Sequence, residues 1–120
     1  NQALLALCAS VYLSVMGKEG IRETALLNVR KSHYASSLAA AGGKLSLPFS
    51  APFFNEFVVK LPEGADIGAV NGKLLKAGFI GGCDLGAAYP ELKGHLLIAV
   101  TERRTRDEIE SFFREMEAVL

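Results

Sequence analysis

The sequence predicts an α+β fold, a small and mostly antiparallel sheet covered by helices on one face. Three observations lead to it. Two helical stretches precede any strand pattern. Short apolar runs of strand length then alternate with a helical run. A capped amphipathic helix closes the chain. Half of the 120 residues are hydrophobic and 22% are charged, enough for one core without disulfide or metal staples and too apolar for disorder. Thirteen basic residues balance thirteen acidic ones. That balance argues against a basic nucleic-acid binder and against an acidic tail. The mean hydropathy of +0.26 is high for a lone soluble domain of this size, so the chain is expected to hide surface against something else.

Residues Ala3 to Met16 form an apolar run, and no charge appears before Lys18. A signal peptide would carry a basic segment first, and none is present. The run falls short of the ~20 apolar residues of a membrane span and contains Ser10, Tyr12 and Ser14. It reads as a helix apolar on almost every face, which belongs inside a larger assembly; on this reading the sequence is a piece of a longer protein. Gly17 interrupts it. A second helix runs from Lys18 to about Ala41, with Ile21, Ala25, Leu27, Tyr34 and Leu38 on its apolar face. Arg22, Glu23, Arg30 and Lys31 are on its wet side, and Gly42-Gly43 forms a left-handed cap. Pro48 and Pro52 exclude regular structure in the stretch they bracket.

Phe54 to Leu61 reads as a strand, with Phe57, Val59 and Leu61 alternating with Val58 and Lys60. Asp66 caps a helix whose apolar residues are Ile67, Val70, Leu74 and Ala77; Gly68 and Gly72 weaken it by about 1 kcal/mol each, and Gly78 ends it. Phe79-Ile80 is expected to be a short strand that breaks at Gly81-Gly82. His95 to Thr101 is a continuous apolar run, expected at the centre of the sheet. Thr105 and Glu108 form a capping box for the last helix, and Ile109, Phe112, Phe113, Met116 and Leu120 trace its inner face. Arg114, Glu115 and Glu117 are expected to face water.

Candidate chemistry is sparse. Gly81-Gly82-Cys83-Asp84-Leu85-Gly86 fits neither a dinucleotide nor a Walker phosphate loop, and its glycines are better explained by tight turns or close contact. Cys83 has no activating base near it in sequence, and the adjacent Asp84 would raise its thiol pKa. Cys8, Cys83, His33 and His95 are too scattered for a zinc site. Arg103, Arg104 and Arg106 lie among Glu102, Asp107 and Glu108, a pattern of local ion pairs that could instead hold an anionic group. Phe49, Phe53, Phe54 and Phe57 are either the aromatic lead-in to a core strand or a contact surface. No Ser-His-Asp set, paired acids or metal motif is present.

Five segments in order carry more information than any one of them: Asn1-Gln2-Ala3-Leu4 leading the apolar helix; Gly17-Lys18-Glu19-Gly20; Ala51-Pro52-Phe53-Phe54-Asn55-Glu56-Phe57-Val58-Val59; Gly81 to Gly86 with Tyr89-Pro90-Glu91-Leu92; and Val100 to Ile109. Together they resemble the C-terminal part of subunit 1 of glycine dehydrogenase (decarboxylating), the P-protein of the glycine cleavage system in its two-chain form. The glycine-rich helix around Gly68 and Gly72 departs from what that family leads one to expect there. The resemblance implies a pyridoxal-phosphate enzyme of the aspartate-aminotransferase type, cytoplasmic, which decarboxylates glycine and passes the aminomethyl group to the lipoyl arm of the H-protein. It implies that pyridoxal phosphate is held by the partner subunit, P-protein subunit 2, in a dimer of heterodimers, with no cofactor, metal or catalytic residue in this chain and no nucleic-acid or membrane partner. Residues 1–17 would then be an interdomain or association helix, and residues 18–120 a small C-terminal α+β domain. Asn1, Gln2, Phe53, Asn55, Gly81, Gly82 and Asp84 would be cleft or interface residues. The other reading of the same elements is a ferredoxin-like regulatory module that binds an amino acid.

Overall fold

The sheet is built around one strand. The computed structural model describes Asn1–Leu120 and orders its elements as α1 (Gln2–Ala41), β1 (Glu56–Lys60), α2 (Ile67–Lys76), β2 (Cys83–Asp84), β3 (His95–Ala99) and α3 (Arg106–Val119). The sheet order is β1-β3-β2, and both pairings are antiparallel. The expected central place of the His95 run is therefore the observed one. Phe57 pairs with Ile98 and Val59 with Leu96. All four are buried, because residues two apart share a face. Ile67, Val70 and Leu74 of α2, and Ile109, Phe113 and Met116 of α3, join them in the core.

Strand boundaries differ from expectation: β1 ends at Lys60 and β3 at Ala99, short of Leu61 and Thr101, and the start of β1 and the whole of β2 are displaced further. β1 begins at Glu56 and not at Phe54: the Asn55 carbonyl still accepts from the Val100 amide at 2.9 Å in register with the ladder, but the Phe54 carbonyl turns to the Ser32 hydroxyl of α1 at 2.6 Å. The second strand is Cys83–Asp84 and not Phe79-Ile80. Gly82 explains the shift. A Cβ there would lie 2.8 Å from the Leu97 carbonyl oxygen, so only glycine lets the chain close on β3, and pairing starts one residue later. Ile80 is left 91% exposed.

α1 consists of two helical arms that meet at a kink. Gly17 alone departs from helical geometry, at φ 61° and ψ −179°, a region that is essentially glycine's. The second arm does not bury the apolar face expected of it. Its buried residues are Asn28, Ser32, Ala35, Ser36 and Ala39, while Ile21, Ala25, Leu27, Tyr34 and Leu38 are half-buried at the margins. This stripe still has helical spacing, but its members are small or polar: Ser32 donates to the Phe54 carbonyl at the entry to β1, and Asn28 to the Glu102 carboxylate. At its end Gly42 stays right-handed, and Gly43 takes the positive φ of 80°.

Thr105 and Glu108 form the capping box of α3, with the Glu108 amide on the Thr105 hydroxyl at 3.2 Å and the Thr105 amide on the Glu108 carboxylate at 2.7 Å. On the inner face Phe113 is buried, whereas Phe112 is half-buried and packs edge-on against Phe79 at 5.7 Å. Phe113→Ala is therefore expected to cost about 3–5 kcal/mol, and Phe112→Ala clearly less. Thr105→Ala should cost about 1 kcal/mol, and Arg114→Ala, exposed, should stay within about 0.5 kcal/mol of the unaltered chain. Urea melts of the four variants give the ranking; an Arg114→Ala loss above that of Phe113→Ala would contradict this placement of the core.

Candidate functional site

The expected cleft and interface residues fall in three places. Asn1 caps α1, its side chain accepting from the Leu4 amide at 3.1 Å, with Gln2 beside it. Both lie at the far end of the first arm, about 24 Å of helix away from Gly17. Phe53 and Asn55 sit at the entry to β1. Phe53 stacks on His33, with ring centroids 4.2 Å apart and 9° between planes, and the His33 ring nitrogen lies 3.2 Å from the Phe53 carbonyl. The aromatic cluster thus divides: Phe57 is core, Phe53 half-buried, and Phe49 and Phe54 are exposed. Gly81, Gly82 and Asp84 lie at the opposite edge of the sheet.

That opposite edge forms one wall of a cleft of about 740 Å³. Gly81, Gly82 and Cys83 line it together with Leu97 of β3 and with Ile109 and Phe112 of α3. Asn71 of α2 pins this wall, donating to the Gly82 carbonyl at 3.0 Å, and its own carbonyl oxygen lies where a Cβ on Gly81 would be. Asp84 turns its carboxylate back on the Gly86 amide at 2.9 Å, capping the short turn Leu85–Ala87. Its charge is thereby used for local structure. Gly82→Ala is expected to cost about 1–3 kcal/mol by overpacking and to unpair β2. Loss of amide-exchange protection at Leu97 would register it, and full protection in the variant would count against the close approach described here.

Two of the three arginines of the basic knot form ion pairs at the start of α3, and Arg103 forms none. Arg104 lies 3.7 Å from Glu108 and Arg106 2.7 Å from Glu110. The second pair belongs to a clasp between residues distant in the chain. The Tyr34 hydroxyl of α1 donates to the Glu110 carboxylate at 2.5 Å, and the Arg106 guanidinium stands 5.5 Å over the Tyr34 ring. The Tyr34 hydroxyl, followed by Arg106, holds the Glu110 carboxyl below the usual carboxylate range. The same bond to Glu110 raises the Tyr34 phenol. A depressed carboxyl contributes stability above its unfolded pKa and loses it as pH falls through the folded one. Stability should accordingly decline on acidification below the ordinary glutamate range. Glu110→Gln and Tyr34→Phe should each flatten that acid limb in urea melts taken across pH; an unchanged limb in both would remove the clasp from the account.

The model of the glycine cleavage system P-protein family matches residues 1–116. This chain belongs to that P-protein family. It is 55% identical over 116 residues to the probable glycine dehydrogenase (decarboxylating) subunit 1 of Geobacillus kaustophilus, a match covering 97% of this chain and 25% of that one. The corresponding protein of Brevibacillus brevis is 51% identical over 119 residues, 99% of this chain and 26% of its own. A crystal structure of glycine decarboxylase (P-protein) of the glycine cleavage system, in inhibitor-bound form, superposes with a TM-score of 0.83 at 31% identity, over 96% of this chain and 25% of that one. The chain thus spans about a quarter of the length of the relatives it matches, and its α+β architecture is that of part of the P-protein.

The family implies pyridoxal phosphate, and the residues of this chain do not fit its attachment. The Lys31 amine donates to the Glu102 carbonyl, and Lys44 and Lys73 donate to the Glu117 and Val119 carbonyls at 2.7 and 3.5 Å. Lys18, Lys60, Lys76 and Lys93 are exposed, and no lysine faces the cleft.

Proposed function

We propose that this chain is the small C-terminal domain of subunit 1 of the glycine cleavage P-protein, and that it shapes and joins the enzyme without carrying its chemistry. The complete enzyme would decarboxylate glycine on pyridoxal phosphate held by subunit 2 and pass the aminomethyl group to the lipoyl arm of the H-protein, in the cytoplasm, as a dimer of heterodimers. On this reading residues 18–120 are the domain, and residues 1–17 are the helix that joins it to the remaining three-quarters of the family's chain.

The observation that carries the proposal is the state of the first arm. Every residue from 1 to 15 is exposed, among them Leu5 at 68% and Val15 at 79%. By length and composition α1 could cross a membrane. The family match includes the arm, however, and a helix apolar on all sides suits a protein interior equally well. Covering it stabilises the assembly by about 1.5–3 kcal/mol per large side chain. A free-standing regulatory module would have no use for such a surface.

Alone in solution, the chain should therefore associate through the arm. Sedimentation should find dimers or larger species, and Leu5→Glu with Val11→Glu should give a monomer whose circular dichroism keeps the signal of the body. An unaltered chain that stays monomeric at high concentration would defeat this. Complementation tests the wider reading. The Geobacillus kaustophilus subunit 1 lacking the segment matched here, supplied with subunit 2, should regain glycine–bicarbonate exchange when this chain is added. Without partners, the chain should form no borohydride-reducible adduct with pyridoxal phosphate at a single lysine; a stoichiometric adduct at one site would overturn the non-catalytic role.

A further inference from the structure

We propose that Gly17 is a two-state hinge about which the body of this chain, residues 18–120, turns relative to the first arm of α1. The inference rests on the docking of that arm proposed above, since a docked arm turns the hinge into control over how the body is presented to the rest of the enzyme.

Three observations support it. First, the arm and the body are joined by sequence alone. Every residue from 1 to 15 is exposed, so no side chain of the body holds the arm at a fixed angle. Second, the change of direction is confined to one residue. Gly17, at φ 61° and ψ −179°, is the single non-helical position in a run of 40 residues. Rotating that residue into the helical region would join both arms into one straight helix. Glycine occupies either region without a Cβ penalty. Third, the elbow is neither crowded nor buttressed. A Cβ at Gly17 would meet nothing within 4 Å, and across the bend the Met16 side chain comes within 3.4 Å of where a Cβ on Gly20 would stand.

The opposing contributions are of similar kind and small number. The straight form regains the backbone hydrogen bonds that a break interrupts. The bent form keeps the packing of Met16 over Gly20. Gly17 supplies no preference of its own, so two forms coexist, and whatever covers the arm or the body can select between them through its differential affinity for the two.

The chain carries its own probes. Cys8 on the arm and Cys83 at the edge of the sheet are both free and exposed. Nitroxide labels on the two, in samples diluted with unlabelled chain, give the arm-to-body distance by pulsed electron spin resonance. The unaltered chain should give two distances. Gly17→Ala, which favours the helix and is excluded from the bent geometry, should reduce the bent population more than about tenfold. Met16→Ala should move the populations the same way by a smaller factor and leave both distances in place. Repeating the measurement in the Leu5→Glu/Val11→Glu background removes self-association, so a rigid elbow and a failed docking surface give different results. A single narrow distance in the unaltered chain would overturn the hinge, and so would a Gly17→Ala chain that keeps the bent distance.

Discussion

Leu96 and Ile98 set the terms for the body of this molecule. They project from β3 into the helical layer, buried to 0% and 3% exposure, and β3 is paired on both sides. A sheet of three short strands has no second sheet to cover it, so its apolar face must be closed by helices. α2 and α3 do this with Leu74, Ile109, Phe113 and Met116. The glycine contact at Gly82 follows from the same requirement, because β2 is too short to hold β3 unless the chain before it approaches the Leu97 carbonyl closely.

The second arm of α1 meets this layer differently. Its buried stripe contributes little apolar bulk and bonds across to the rest of the body through Asn28 and Ser32. The Asn28 amide donates to the Thr24 carbonyl and to the Glu102 carboxylate, and Ser32 donates to the Phe54 carbonyl. Without Ser32 the partly buried Phe54 carbonyl at the start of β1 would lose this donor, at a cost of about 1–3 kcal/mol. Small residues at Ala35 and Ala39 bring the helix close enough for these bonds. The Tyr34–Glu110–Arg106 clasp then ties the same helix to α3 near the protein surface. Anchored in this way, α1 projects its first arm away from the body, and that arm is the most apolar surface the chain exposes.

Some of this was legible in the sequence because it depends on local rules. Thr105 and Glu108 announce a capping box whatever lies nearby, Asp66 announces a cap, and the alternation around Phe57 and Val59 announces a strand with one buried face. The place of β3 at the centre followed from its unbroken apolar run. The candidate site was less legible. Gly81 and Gly82 stood out as glycines, but their purpose depends on Leu97 and Asn71, which are distant in the chain. Tyr34 and Glu110 are 76 residues apart, and neither carries a local signal of the other.

The sequence by itself determined the α+β class, the break at Gly17, the caps and the apolar first arm, since each arises from residues within a few positions of one another. It also carried the family resemblance, because five short segments kept their order. Only the tertiary structure decided which face of α1 is buried, where β2 begins, and that the residues singled out lie in three separate places. Those outcomes depend on how closely two backbones approach. That distance is set by side chains from elsewhere in the chain and by carbonyls in need of donors, and no periodicity in the sequence records either.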